Sequence, residues 1–83
     1  MRLILDVTQE DIDDGEHGQS EWCALALALR RTLDEPNIAV GYGDVEVDGG
    51  VVGKLSKSAV RWQWRYDFGG NVTPRRFYVE MFE

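Results

Sequence analysis

Few residues in this sequence have the types and spacing that covalent or metal chemistry needs. His17 is the only histidine and Cys23 the only cysteine, six positions apart. Two such donors could share a zinc ion, but a structural zinc site takes four protein ligands, and only aspartates or glutamates could complete this one. As a catalytic pair, Cys23 would need a lowered pKa, and His17 an orienting partner and a pocket. Cys23 instead opens an apolar helical run, where a small packed side chain is the simpler role. The segment Glu10–Glu21 puts Gly15 at position six and Glu21 at position twelve of a calcium-loop frame, yet position three is Ile12, where an oxygen ligand is required. Asp13 and Asp14 are sequence neighbours, with nothing to split their pKa values into an acid and a base. Gly41-Tyr42-Gly43 and Gly49-Gly50 lead into neither a phosphate loop nor a dinucleotide fingerprint. The expectation is a protein without catalytic residues, metal or cofactor.

What remains is surface. The 83 residues carry a net charge of −6, placed unevenly. Residues 1–21 hold seven acids against the single base Arg2, and the rest of the chain is balanced. Within that balanced part, residues 54–76 hold six bases, Lys54, Lys57, Arg61, Arg65, Arg75 and Arg76, against Asp67 alone. Overall acidity argues against direct nucleic-acid or membrane binding. The acidic front, with Asp11, Asp13, Asp14 and Glu21, is one candidate contact surface. Trp64 flanked by Arg61 and Arg65 is the other, since aromatic and arginine side chains dominate protein-binding hot spots. A dipolar layout also permits head-to-tail self-association.

These surfaces must be positioned by a small number of elements. The length fits one domain, 1–83, and a domain this small buries only about 60–65% of the surface of its unfolded chain, leaving little core to enclose a deep pocket. Leu3, Leu5 and Val7 alternate as one face of a strand, Arg2 to Val7. Thr8 is a natural N-cap for a short helical turn, Gln9 to Asp14, with acids in its first turn and Gly15 as the stop. Ser20 is positioned to cap a longer helix in which Trp22, Leu25, Ala26, Leu29 and Leu33 form one stripe, ended by Pro36. Ile38 to Tyr42 and Asp44 to Asp48 read as short strands, and Asp48-Gly49-Gly50 as a hairpin turn leading into Val51-Val52. Phe77 to Phe82 reads as a last strand.

Residues 55–68 fit two periods. Val60, Trp62, Trp64, Tyr66 and Phe68 alternate as a strand would, and local propensity favours that reading slightly. With Ser56 as N-cap, Leu55, Ala59, Trp62 and Tyr66 instead form one helical stripe. Lys54, Lys57, Arg61 and Arg65 then form a second, and Trp64 falls nearly opposite the first. The fold expected is α+β: an antiparallel sheet of about four strands packed on two helices. The strand alternative gives a mostly-β domain with one long helix.

Met1-Arg2 and the short run Leu3-Ile4-Leu5, ended by Asp6, lack the roughly 7–15 apolar residues of a secretory signal. The longest apolar run, Trp22 to Leu29, is far below the ~18 residues of a membrane span. A cytoplasmic location is expected, and a single cysteine, with no intrachain disulfide, agrees with it.

The segment Val7-Thr8-Gln9-Glu10-Asp11-Ile12, Gly15, and Cys23 opening an alanine/leucine helix resemble a group of small proteins, of no assigned activity, common in actinobacteria and their phages. In that group the helix often opens Cys-Pro-apolar-Ala; here Cys23 is followed by Ala24. The second half is similar too, in Leu55, the aromatic-Asp-x-Gly run Tyr66-Asp67-Phe68-Gly69, Val72, Pro74 and an aromatic strand. The resemblance implies a phage or actinobacterial origin, with the host cytosol as location if phage-encoded, and favours the helix over 56–68. It carries no activity and no site residues. The function expected is a non-enzymatic module that binds a host protein and modulates or inhibits it. The alternatives are an acidic nucleic-acid mimic of the anti-defence kind and a metal or enzyme site at His17 and Cys23.

Overall fold

A computed structural model describes residues 1–82. Alternation in Arg2–Val7 (β1) buries Leu5 and Val7 and leaves Ile4 and Asp6 outside. Thr8 then caps Gln9–Asp14 (α1) through a reciprocal box. Its hydroxyl accepts from the Asp11 N–H at 3.2 Å, and the Asp11 carboxylate accepts from the Thr8 N–H at 2.9 Å. Gly15 ends the helix, as expected.

The second helix, Ala24–Leu33 (α2), starts later than the apolar stripe suggests. Cys23, not Ser20, is the N-cap, with no side-chain capping bond, and Trp22 lies outside the helix, about half exposed. The backbone explains the difference. The N–H groups of Trp22 and Cys23 both donate to the Gln19 carbonyl, at 3.1 and 2.8 Å, while the Ser20 carbonyl is drawn away to accept from Val40 at 2.8 Å. Residues 19–23 are thereby committed to a turn. Asp34 closes the helix in the left-handed conformation at φ 52°, two residues before Pro36.

Ile38–Val40 (β2), Asp44–Val47 (β3) and Gly50–Leu55 (β4) follow as an antiparallel meander. Asp48 and Gly49 both have positive φ, 52° and 84°, which makes the β3–β4 connection a type I′-like turn matched to strand twist. Lys57–Asp67 (α3) settles the ambiguous segment as a helix. The Ser56 hydroxyl accepts from the Ala59 N–H at 3.3 Å, and Leu55, Ala59, Trp62 and Tyr66 are all buried. Tertiary packing of that stripe overrides the local strand preference. The Trp62 ring stacks on Tyr66 (5.6 Å between centroids) and meets the edge of Phe77 (5.7 Å). Arg75–Met81 (β5) is the last described element.

The fold is α+β, with a five-stranded sheet in the order β1-β5-β4-β3-β2 and every pairing antiparallel. The strand beyond the four expected comes from Gly50–Leu55, where only Val51 and Val52 read as extended. Gly53 lets β4 reach β5, because a Cβ there would sit 2.8 Å from the Glu80 carbonyl oxygen. The α2 helix packs against both edge strands, β1 and β2, so the sheet curls around it, while α3 covers β5. Ala24, Ala26 and Ala28 are fully buried, and their small side chains permit that close approach. Leu5, Leu25, Leu29, Ile38 and Phe77 fill the core, and burying each stabilises the fold by roughly 1.5–3 kcal/mol.

Candidate functional site

Burying one stripe of α3 fixes the direction of its other faces. Val60, Gln63, Trp64 and Asp67, at i, i+3, i+4 and i+7, line one side of a groove of about 320 Å³. Gly18-Gln19-Ser20, Val40-Gly41-Tyr42 and Phe68 make up the rest of its lining. Three aromatic side chains stand at this groove largely in solvent: Trp64 is 53% exposed, Phe68 78% and Tyr42 94%. Trp64 and Phe68 lean on one another with centroids 5.4 Å apart.

The walls are held in place by polar contacts. The Gly18 N–H donates to the Asp67 carboxylate at 3.0 Å. The His17 Nδ1–H donates to the Tyr66 carbonyl, which fixes that tautomer, and the imidazole packs on the Tyr66 ring at 4.4 Å. The Val40–Ser20 bond joins the loop to the edge of β2. Gln63 is 8% exposed and lines the groove. The groove thus combines an apolar lining, projecting aromatics and the Gln63 amide, a group that can both donate and accept.

The residues singled out from the sequence separate. Trp64 belongs to the groove. Arg61 and Arg65 lie around the helix from it and line a different hollow. Asp11 is no part of an acidic surface. It is 4% exposed, and its carboxylate accepts from Arg31 at 2.6 and 3.0 Å. Burial pushes its carboxyl pKa up, but the Arg31 guanidinium and the Thr8 N–H and hydroxyl outweigh burial and hold it below the usual value. Asp13 and Asp14 are exposed on α1, with Asp13 accepting from the Gln9 amide at 2.9 Å. Glu21 lies apart from both, in a hollow with Arg30, Asn37 and Ile38.

Cys23 is 1% exposed and burial pushes its thiol pKa up, so it is protonated at neutral pH. Tyr66, 1% exposed, is pushed up to about 12, chiefly by burial. No group of three or more His, Cys, Asp or Glu side chains is placed to hold a metal among the described residues. No helix there is long and apolar enough to cross a membrane.

Tyr42, Gln63 and Phe68 join the groove without having stood out as contact residues in the sequence. Phe68 carried a signal, standing four residues after Trp64 at the C-cap of α3. Gln63 and Tyr42 carried none, because their role depends on elements distant in the chain. No family model, curated protein or solved structure matches this chain.

Proposed function

We propose that the protein is a non-enzymatic protein-binding module that uses the groove beside α3 as its contact surface. The observation that carries this reading is the exposure of Trp64, Phe68 and Tyr42 around one apolar hollow. Exposed aromatics clustered at a concave site, with a polar group inside it, match the composition of binding hot spots. The partner presents an apolar side chain to the groove and a backbone or side-chain amide to Gln63. In the phage setting that the sequence resemblance implies, the partner is a host protein whose activity is modulated by the contact, in the cytosol.

The nucleic-acid mimic finds less support. Its carboxylates would need a common face, and Asp11 is buried against Arg31 while Glu21 lies apart from Asp13 and Asp14. A Cys–His reaction finds less still, since the Cys23 thiol is buried and His17 is engaged with Tyr66.

The experiment is affinity capture from a lysate of the actinobacterial host, with wild type and the Trp64→Ala/Phe68→Ala double variant side by side, at low and high salt. One stoichiometric protein should be retained by the wild type at both salt concentrations, because apolar contacts are not screened. The double variant should lose it while keeping its circular dichroism and Tm. Retention by the double variant would remove the groove from the contact. A DNA-binding protein released by salt would favour the mimic instead.

A further inference from the structure

On the far side of α3 from the groove, three arginines line one hollow. Arg61 and Arg65 reach it from the helix, and Arg75 from the start of β5; Asn71, Val72 and Thr73 form the intervening wall. The hollow has about 300 Å³ of space, and no acidic residue lines it. None of the three arginines is in an ion pair among the described residues, although the chain as a whole is strongly acidic. Three like charges brought together without a counter-charge repel one another, and an anion seated among them removes that cost.

The hollow is built by specific contacts. The Trp62 indole N–H donates to the Thr73 carbonyl at 3.0 Å, tying the 71–74 loop to α3. Gly70 packs directly on the Arg65 stem, where a Cβ would come within 2.6 Å of Cγ, so the glycine is what lets the loop close over that side chain. The Arg75 guanidinium lies 5.5 Å from the centre of the Phe77 ring. Strand alternation puts Arg75 on the helix side of the sheet with Phe77 and Val79, and sends Arg76 to the other side, where it pairs with Asp6 at 2.7 Å. Of two adjacent arginines, one is neutralised and the other is left facing α3.

We infer that this hollow is a binding site for a phosphate group, either free inorganic phosphate or the terminal phosphomonoester of a small molecule. Guanidiniums present forked N–H donors that match phosphate oxygens, and the Asn71 amide and Thr73 hydroxyl add donors of the right kind. A nucleic-acid backbone is the weaker fit, because it needs a continuous basic track. The neighbouring Arg76 is already paired, and the net charge of the chain is −6.

The test is an NMR titration of the whole chain, following backbone amides and arginine Nε–H signals, at constant ionic strength maintained with chloride. The probes are inorganic phosphate, O-phosphoserine and a short single-stranded oligonucleotide. The expected result is saturable shifts confined to Arg61, Arg65, Asn71, Thr73 and Arg75 with the first two probes. Preference for inorganic phosphate or for O-phosphoserine identifies the free anion or the ester as the ligand. Arg61→Gln, a solvent-exposed change, should weaken binding about tenfold or more with Tm unchanged. Arg75→Lys, which keeps the charge and loses the fork, should weaken it less. Shifts that do not saturate, that chloride reproduces, or that spread equally to Lys54, Lys57 and Arg76 would overturn the site. Tighter binding of the oligonucleotide than of either small probe would overturn the assignment to a small phosphate ligand.

Discussion

Asp11 does two jobs at once. It closes the capping box of α1 and holds Arg31 of α2, which in turn donates to the Asp6 carbonyl at the edge of β1. Asp11→Asn should cost about 2 kcal/mol at pH 7, combining a weakened cap with a lost charge-assisted bond. Because the folded-state pKa is depressed, this contribution is fully present above the unfolded value of about 3.9 and is lost as pH falls through the folded value. Urea denaturation of both proteins at pH 7 and near pH 3 should show the gap between them narrowing in acid. Gly15 is a second tight point, since a Cβ there would lie 2.4 Å from the Tyr66 hydroxyl and 2.8 Å from the Ala24 nitrogen. Gly15→Ala should therefore cost about 1–3 kcal/mol by overpacking. The Tyr66 hydroxyl is itself buried with no hydrogen-bond partner among the described residues, so Tyr66→Phe should be neutral or slightly stabilising in the same assay.

At the level of elements, legibility followed how local the decisive interactions are. The α1 helix was readable from Thr8 to Gly15 because its cap, first turn and stop lie within eight residues. The start of α2 was not, because the Ser20 carbonyl bonds to Val40, twenty residues on, and no local signal reports that. For α3 both periods were present in the same side chains, and only the shared burial of Ala59, Trp62 and Tyr66 against β5 decides between them. The helix depends on its cap as well. Ser56→Ala should lower stability by about 1 kcal/mol and selectively speed hydrogen exchange in the first turn of α3. Trp64 was legible as a surface residue under the helical reading. The groove was not, since its second wall comes from residues 18–20 and 40–42, which reach α3 only through the fold.

Across the whole molecule, the two sides of the sheet differ in kind. The side away from the helices places Arg2 opposite Glu80, Ile4 opposite Tyr78 and Asp6 opposite Arg76; Arg76 pairs with Asp6, Glu80 with the terminal ammonium, and Arg2 lies over the Tyr78 ring. This face mixes charged with apolar side chains, Ile4 and Tyr78 among them. The α3 ridge instead divides an apolar, aromatic groove from a basic hollow, with Trp64 and Phe68 exposed on one flank and Arg61 and Arg65 on the other. Such groups contribute little to folding, so Trp64→Ala/Phe68→Ala should change stability by no more than about 0.5 kcal/mol by urea denaturation while abolishing partner capture. The most direct test of the central claim compares positions within one molecule. A photo-cross-linking amino acid is placed at Phe68, in the groove, and separately at Tyr78, on the open face of the sheet, and each protein is irradiated in the lysate used for affinity capture. One discrete adduct is expected from position 68 and none from position 78. The same adduct from position 78, with none from position 68, would place the contact on the sheet and contradict it.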